Sequence, residues 1–404
     1  MKYLSKVRFL ISTLMIASFT LGACTSQPVP PTPTAAAGVT ETPTPTQPPM
    51  LNSSLVVPNT PTPLKAAPAP TAASAKPDPA AGNLLVLEWA GYEKPDFYKD
   101  FVGQHPNVKV DYSFMADDAE SFAKAQSNPD VDVLHPCVNY FRLFVEKGLV
   151  QPIDTSRLKY FKSIYPELAK IGEIDGKQYF IPWDWSFDAI LVRTDKVKTT
   201  PQSWADLWNP EYKGHETMID SGEEAYEMTA LSLGFDPYNV TPEQDAQIKQ
   251  RMIDLKPNLV SYWSDPTEVS NLMASGDLWV VGNAWNESYV NLVKEKTPVQ
   301  LVMPKEKAIG YMCGYSISSQ TKNLDLAYDF INARTSPQSE ANMANDQGYG
   351  PSNMDSVPLM DKDMMTLLSL DHPDLLQKIF FMKPLTEAQH QHFTDLWTEV
   401  KAAP

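Results

Sequence analysis

The segment Ser203-Trp-Ala-Asp-Leu-Trp-Asn-Pro-Glu-Tyr-Lys-Gly214 carries more information about the architecture of this chain than any other. Its first four residues follow the Ser-x-x-Asp pattern of a capping box, in which two side chains satisfy free backbone N–H groups at a helix start. A second box, Thr241-Pro-Glu-Gln244, has Pro at the first helical position, which the fixed backbone angle of Pro favours. Both segments therefore predict the start of a helix.

Working outward from these segments, apolar runs of strand length alternate with helical patterns, which indicates an α/β fold. The predicted strands are 84–89, 108–114, 131–134, 178–182, 189–192, 278–284, 299–303 and 315–318. Two late helices are predicted over 324–332 and 337–344, and the sequence contains no internal repeat.

The first 23 residues have the pattern of an export signal. Lys2, Lys6 and Arg8 precede an apolar run over 9–22, which is too short for a spanning helix. The run ends in Leu21-Gly22-Ala23-Cys24, which resembles the lipobox of bacterial lipoproteins. The resemblance implies that Cys24 becomes the N-terminus and carries a lipid. The alternative is an uncleaved signal anchor with a chance cysteine.

The next segment, 24–82, consists mainly of Pro, Thr, Ala and Ser. Such a composition buries too little apolar surface to offset the entropy of ordering, so we expect this segment to be disordered. Its prolines favour extended polyproline II, which makes it a semi-stiff tether between a membrane and a soluble domain.

Composition narrows the classes of function for the remaining residues. They are rich in aromatic and aliphatic side chains, enough for a substantial core. The net charge of −16 argues against nucleic acid or an anionic lipid surface as a partner and is compatible with a cationic ligand. Beyond Cys24 only Cys137 and Cys313 remain, so there is no disulfide framework and no CxxC metal pattern.

Signatures of catalysis are missing from the sequence. It contains no GxSxG, HExxH, GxxxxGK[ST] or GxGxxG motif. His390 and His392 are two residues apart, so on a helix they point in different directions and would not share a metal. We therefore predict a protein that is not an enzyme and that has no catalytic residue, metal site or cofactor.

Several short segments occur in an order that is typical of one family. They are Leu87-Glu-Trp89-Ala-Gly-Tyr92, Asp132-Val-Leu-His-Pro136, Lys147-Gly-Leu-Val-Gln-Pro-Ile-Asp154, Tyr179-Phe-Ile-Pro-Trp183, the segment 203–214, Trp285-Asn286 and Gly348-Tyr349-Gly-Pro351. From Leu85 onward the chain resembles the spermidine/putrescine-binding proteins of ABC importers, which have the type II periplasmic-binding fold. The resemblance covers nearly all of the predicted globular part.

The resemblance implies two α/β lobes joined by crossing hinge strands around a central ligand cleft. Lobe 1 would comprise residues 83–185 and 312–358, and lobe 2 residues 186–311 and 359–404. Hinge closure of such lobes buries a ligand and presents a closed shape to a membrane permease.

The resemblance also implies the walls of the ligand site. An alkylammonium ligand needs aromatic rings along its apolar stem and carboxylates beside its charged ends. The aromatic residues at positions that match the family's pocket are Trp89, Tyr92, Trp285, Tyr311 and Tyr349.

The acidic positions of the family are only partly retained. Glu224 matches one acid, whereas Ser221 and Cys313 stand in place of two others, and Cys137 and Asn139 replace a Ser and a Tyr. A substitute carboxylate is therefore expected, since an unpaired buried ammonium is costly. The candidates are Asp184, Asp188, Glu93, Asp220 and Glu223.

Two of these positions have a second interpretation. Ser221-x-x-Glu224 is itself a capping box, so Glu224 could serve a helix start instead of a ligand. Cys137 and Cys313 align to pocket positions of the same lobe, so they form either a disulfide or two unrelated buried thiols.

The sequence thus predicts an extracytoplasmic, lipid-anchored and monomeric protein, in the periplasm or on the outer face of the cytoplasmic membrane. It would bind a polyamine or a related organic cation for an ABC permease. One alternative is the same fold binding another solute, such as an amino-acid-derived amine, a sugar or a metal chelate. The other two are an envelope protein that acts as a sensor or scaffold, and an enzyme.

Overall fold

The computed structural model describes residues 82–372 and 374–404. The predicted export signal, the predicted lipid acceptor Cys24 and the predicted tether up to residue 81 lie outside these residues. Within the described ranges, every helix is too short or too polar to cross a lipid bilayer.

The secondary structure of the described residues alternates between strands and helices, as the sequence predicted. The strands are β1 (Gly82–Trp89), β2 (Val108–Met115), β3 (Val133–Leu134), β4 (Val150–Gln151), β5 (Glu173–Ile174), β6 (Lys177–Gln178), β7 (Ile181–Arg193), β8 (Glu216–Ile219), β9 (Leu259–Trp263), β10 (Val280–Ala284), β11 (Val299–Val302), β12 (Ala308–Ser318), β13 (Gly350–Pro351) and β14 (Ile379–Phe381). The α-helices are α1 (Lys99–Gln104), α2 (Asp118–Ser127), α3 (Val138–Glu146), α4 (Pro166–Ile171), α5 (Gly222–Ser232), α6 (Pro242–Leu255), α7 (Pro266–Ser275), α8 (Asn286–Lys294), α9 (Leu324–Arg334), α10 (Pro337–Gln347), α11 (Lys362–Leu367) and α12 (Glu387–Ala402).

The main strands follow one path, in the order β2-β1-β3-β12-β7-β10-β8-β9. At one end, β1 pairs in parallel with β2 and β3, and this end forms the first lobe. At the other end, β8 pairs in parallel with β9 and β10, and this end forms the second lobe. The long strands β7 and β12 run antiparallel to each other between the two. The predicted two-lobed α/β fold is confirmed, while the lobe boundaries at particular residues stay a prediction.

Strand β7 is the largest departure from the predicted elements. The sequence predicted two separate strands, 178–182 and 189–192, whereas the structure has one strand over Ile181–Arg193. The prediction of a break was wrong because Asp184, Ser186 and Asp188 alternate with aromatic residues and so leave the strand pattern intact. Strand β12 likewise begins at Ala308, well before the predicted residue 315.

Both predicted capping boxes are present with both of their hydrogen bonds. Ser203 and Asp206 cap a 3₁₀ helix, Trp204–Trp208, while Thr241 and Gln244 cap α6. A further box, Thr386 with Gln389, starts α12, which packs on α5 and α6 in the second lobe.

The hydrophobic core divides between the two ends of β7. Trp183 packs with Phe97 and Phe330 in the core of the first lobe, while Trp185 and Phe187 pack in the core of the second. Pairing with β12 shifts register beside Gly314, where a Cβ atom would collide with the carbonyl of Ile181. Strand β7 therefore carries the chain from one core to the other.

Candidate functional site

Polar side chains follow one face of β7. Asp184, Ser186 and Asp188 alternate with Trp185 and Phe187, so the three polar residues share a face of the strand. Their partners on β12 are, in the same order, Cys313, Tyr311 and Ile309. The face thus brings together three predicted site residues, Asp184, Tyr311 and Cys313, and adds Asp188.

Tyr92 and Trp89 lie on the side of the first lobe. The Tyr92 hydroxyl donates a hydrogen bond to Oδ2 of Asp184 at 2.9 Å, and both side chains are buried. Burial, followed by the charge of Asp184, raises the pKa of Tyr92, so the hydroxyl stays a donor. Trp89 is partly exposed and donates through Nε1 to the carbonyl of His135 at 3.0 Å.

A buried ionic network supports this side of the cleft. Glu88 is fully buried and contacts both His135 and Arg334, while Tyr315 donates to Oε2 of Glu88 at 3.2 Å. Burial opposes charge on Glu88, but the positive charges of His135 and Arg334 hold its pKa below the usual value. Burial also opposes charge on His135, yet Glu88 and Asp184 raise its pKa to about 9. Glu88 therefore has two cationic side chains in direct contact, whereas Oδ1 of Asp184 lies 3.8 Å from Nε2 of His135 and receives no hydrogen bond from a described residue.

A second group of acids, which we call the acidic cluster, lies on the side of the second lobe. It comprises Asp188 on β7 and Glu223, Glu224 and Glu227 on α5. Among the described residues, no donor reaches either oxygen of Asp188, Oε1 of Glu223, or Oε2 of Glu224 and Glu227. Glu223 and Glu224 are partly exposed as residues, but these oxygens are shielded from solvent.

Burial raises the pKa values of all four acids. Desolvation and the neighbouring charge of Glu224 raise the pKa of Asp188 well above its usual value. Desolvation raises the pKa of Glu223 to about 8 and that of Glu224 to about 7, and it also raises the pKa of Glu227. Burying a carboxylate without a partner disfavours its charged form, so the cluster binds protons near neutral pH.

The predicted aromatic residues separate into two groups. Tyr311 and Tyr349 are partly exposed and meet edge to face, with ring centroids 6.4 Å apart. Burial raises the pKa of Tyr349 to about 12. Trp285 immediately precedes α8 and has its ring contact with Trp263, at 5.1 Å. The structure therefore groups the two tyrosines with Ser186 on the polar face, while Trp285 packs within the second lobe.

Cys137 and Cys313 form a disulfide between the start of α3 and β12. Of the two alternatives that the sequence left open, the structure has the bridge.

Asn139, two residues after Cys137, connects the two sides of the cleft. Its Nδ2 donates to Oε2 of Glu223 at 3.0 Å, and its carbonyl accepts from the backbone N–H of Leu385 at 3.0 Å.

Ser221 and Glu224 form only half of a capping box. Ser221 is the N-cap of α5, and its Oγ accepts from the backbone N–H of Glu224 at 3.5 Å. The return hydrogen bond from the Ser221 N–H to the Glu224 carboxylate is not made, because that carboxylate lies beside Asp188. Ser221 thus caps a helix, and the Glu224 carboxylate takes no part in that cap.

Two other candidate carboxylates are occupied elsewhere. Asp220 accepts from Nε1 of Trp397 at 2.7 Å and from Nζ of Lys401 at 2.8 Å, both on α12. Glu93 accepts from the backbone N–H of Gly91 at 2.7 Å within a turn. All three hydrogen bonds lie near the surface or within a turn, so both acids already have partners in the protein, and their roles as substitute carboxylates stay a prediction.

Sequence reasoning missed Asn283 and Glu227 and weighed Asp188 only as a substitute. Asn283 is fully buried in β10 with a φ of 55°, at an irregularity in the pairing with β7. The Gly282-Asn283 pair inside a strand pattern was the available signal for such a bulge. For Asp188, the signal was the strict alternation of polar and aromatic residues over 183–188.

Two further observations bear on what the cleft binds. Within the described ranges, no group of three His, Cys, Asp or Glu side chains is arranged to hold a metal ion. A cavity of about 290 Å³ lies at the outer edge of the sheet, lined by residues such as Asn83, Asp132 and Asn323, and it includes none of the predicted site residues.

Comparison with known proteins identifies similar chains. The family model described as bacterial extracellular solute-binding protein matches residues 96–366. The spermidine/putrescine-binding periplasmic protein of Salmonella typhimurium is 28% identical over 295 residues, which cover 72% of this chain and 83% of that protein. The putrescine/cadaverine-binding protein of Pseudomonas aeruginosa is 25% identical over 344 residues, covering 80% and 94%. A solved spermidine/putrescine transporter substrate-binding protein of Streptococcus pneumoniae shares the fold, with a TM-score of 0.69, 21% identity and coverage of 79% and 98%.

Proposed function

Because this chain belongs to the family of bacterial extracellular solute-binding proteins, we propose that it captures a linear polyamine or a related organic cation for an ABC importer. The observation that carries the proposal is the acidic cluster, whose carboxylate oxygens are buried without a cationic partner among the described residues. A buried carboxylate in this condition is stabilised by an ammonium group. Aromatic rings such as those of Tyr92, Tyr311 and Tyr349 would cover the apolar stem of such a ligand.

The role of this protein is capture and not chemistry. The matched family consists of solute-binding proteins, whose ligand passes to a permease in the membrane. We infer that the lobes separate to admit the ligand and close to bury it, as hinged two-lobed proteins do. The contact of Asn139 with Glu223 and Leu385 would form at closure, because it joins the two sides of the cleft.

Thermal unfolding of the full-length protein with a ligand panel tests this proposal. A ligand that binds only the folded state raises the midpoint by several degrees when its free concentration far exceeds Kd. We expect a shift with spermidine or 1,4-diaminobutane and none with 4-aminobutanoate, which replaces one ammonium with a carboxylate. A shift with sugars or anionic solutes but with no amine would contradict the proposal.

We further propose that the protein is exported, cleaved before Cys24 and held at the membrane as a monomer by a lipid on that residue. The segment 24–82 would act as the tether. Labelled fatty acid should enter the wild-type protein and not the Cys24→Ser variant, and the variant should leave the membrane fraction. Equal labelling of both proteins would exclude Cys24 as the acceptor.

A further inference from the structure

We propose that Asp188, together with Glu224, binds one terminal ammonium of the ligand while Asp184 binds the other, so that the site selects a polyamine of spermidine length over a shorter diamine. This inference rests on the proposed function, which leaves open the residues that bind each end and the length of the ligand. Four observations support it.

The first observation is the geometry of β7. Asp184 and Asp188 lie on the same face of one continuous strand and are four residues apart. At about 3.3 Å per residue, their Cα atoms are separated by roughly 13 Å. The terminal nitrogens of extended spermidine are about 11 Å apart, whereas those of 1,4-diaminobutane are only about 6 Å apart. The two side chains project from the same face, so their carboxylates are separated by a similar distance, and each carboxylate contacts an ammonium at about 3 Å. The terminal nitrogens of a ligand that contacts both must therefore be at least about 7 Å apart, which spermidine satisfies and 1,4-diaminobutane does not.

The second observation is the state of the Asp188 carboxylate. The residue has no exposed surface, and neither oxygen receives a hydrogen bond from any described residue. A carboxylate that is both buried and without a donor is destabilised unless a proton or a cation neutralises it. In the nearby network, by comparison, Glu88 receives donors from His135, Arg334 and Tyr315.

The third observation is Asn283, which lies beside Asp188. Strand β10 pairs with β7 through Ala284 and Ala189, next to Asp188, and the pairing is irregular at Asn283. The Asn283 side chain is fully buried and lies close enough to Asp188 to lower its pKa, although neither Oδ1 nor Nδ2 has the full geometry of a hydrogen bond to any described residue. An ammonium has three donors, which Asp188, Glu224 and Oδ1 of Asn283 would accept together.

The fourth observation is the distribution of charge around Asp188. The neighbouring titratable side chains are Glu224, Glu227 and Tyr311. The nearest cation recorded for this cluster is Lys383, which is half-exposed and lies 3.7 Å from Asp236. Lys383 is therefore paired at the surface, and the buried acids need a cation from outside the chain.

Asp188→Asn is the decisive variant, because it keeps the shape of the side chain and removes its charge. Titration calorimetry would compare spermidine, 1,4-diaminobutane and butylamine on the full-length protein. We expect the wild type to bind spermidine most tightly and the variant to bind it about 100-fold more weakly, as expected when one partner of a buried charge pair is lost. The variant should also lose most of the preference for spermidine over butylamine.

Thermal unfolding without ligand separates a binding role from a structural one. No hydrogen bond to Asp188 is lost in the variant, so its midpoint should equal or exceed that of the wild type. Glu216→Gln is the matched control. Glu216 is also fully buried, and neither of its oxygens receives a hydrogen bond from a described residue, but it lies at the end of β8 that is far from α5. The Glu216→Gln variant should therefore bind spermidine with an affinity within twofold of the wild type.

The possible outcomes distinguish the two proposals. If the wild type binds spermidine and Asp188→Asn binds it within threefold of the wild type, this inference is wrong while the proposed function stands. If the wild type binds 1,4-diaminobutane more tightly than spermidine, the length argument is wrong. If the wild type binds no amine, the proposed function fails as well. Should Asp188→Asn not fold, Glu224→Gln tests the same subsite, with the same loss expected.

Discussion

The two groups of buried carboxylates differ in the partners that the chain provides. In the first lobe, Glu88 lies between His135 and Arg334, so its negative charge is balanced within the protein. In the second lobe, Asp188 and Glu227 are just as deeply buried, and no cationic side chain pairs with them. The comparison teaches that burial alone does not mark a binding site. Several buried acids that lie together without a cationic partner indicate where a cation from outside can bind, whereas Glu88 already has its cations within the chain.

Removal of the cation from the balanced network should have the largest effect. Arg334→Gln leaves Glu88 buried without its main partner, which costs about 3–5 kcal/mol of unfolding free energy. Urea unfolding should show this loss, while the surface variant Arg142→Gln, which breaks an exposed pair with Glu146, should change stability by less than about 0.5 kcal/mol. Similar stability for Arg334→Gln and the wild type would show that Arg334 does not stabilise the buried charge of Glu88.

Loss of the disulfide should have the second-largest effect on the free energy of unfolding. Cys137 follows the His135 segment and Cys313 pairs opposite Asp184, so the bridge holds the balanced side of the cleft together. In a Cys24→Ser background, the double variant Cys137→Ser, Cys313→Ser should lose about 2–4 kcal/mol of unfolding free energy. The Cys24→Ser parent should contain no free thiol when denatured without reductant. Two free thiols would mean that the bridge does not form.

The pH dependence of spermidine binding should distinguish the acidic cluster from the network around Glu88. Burial raises the pKa of Glu224 to about 7, so a bound ammonium must displace a proton at lower pH. For one such proton, affinity for spermidine should rise about tenfold between about pH 6 and pH 8. Calorimetry in buffers of different ionisation enthalpy would count the protons released. The titratable groups that interact with the acidic cluster are Asp188 on β7, Glu223 and Glu227 on α5, Asp118 on α2, Tyr311 on β12 and Lys383 before α12. Of these, Asp118 acts on Glu223 and Lys383 on Glu227.

The same pKa shift predicts the opposite trend for stability without ligand. A carboxyl group whose pKa is raised on folding binds more protons in the folded state than in the unfolded state at intermediate pH. Stability therefore falls as pH rises from about 4.5 to about 7. Glu224→Gln should reduce the slope of both profiles without abolishing it, because Asp188, Glu223 and Glu227 keep raised pKa values. His135, whose pKa is raised to about 9, stays charged in the folded state over this range. A flat affinity profile in the wild type would rule out proton release from the cluster.

The hydrogen bond from Asn139 to Glu223 across the cleft should have the smallest effect, and this effect should be on ligand affinity. Asn139→Ala removes the side-chain donor to Glu223 but keeps the backbone contact with Leu385. Because a single hydrogen bond contributes about 1 kcal/mol, spermidine affinity should fall by about threefold to fivefold. Asn128→Ala, in an exposed turn, is the control and should leave affinity unchanged. A loss as large as that expected for Asp188→Asn would place Asn139 among the ligand contacts instead.

Local sequence signals predicted the fold better than they predicted the site. Capping boxes at Ser203 and Thr241 depend on residues three apart, so they could be read directly. The approach of Tyr92 to Asp184 depends on how β1, β3, β12 and β7 align side by side. Both residues were predicted, but only through resemblance to a family, since no local pattern sets that register.

The missed residues show where local reasoning ends. Two strands were predicted on either side of Asp184 and Asp188, from the short apolar runs 178–182 and 189–192. The alternation of the two acids with Trp185 and Phe187 has the period of two that is typical of a strand, so it indicates one continuous element. The left-handed backbone of Asn283 follows from the pairing of β10 with β7, which the sequence does not display.

The continuity of β7 has a consequence for the order of events during uptake. Since Asp184 and Asp188 are four residues apart on one strand, the distance between them can change only slightly as the lobes separate. A ligand could therefore occupy both ends while the lobes are still open, and closure would follow as a separate, unimolecular step. Rapid mixing with spermidine should then show two phases. The first would accelerate in proportion to ligand concentration, and the second would approach a constant rate set by the protein alone.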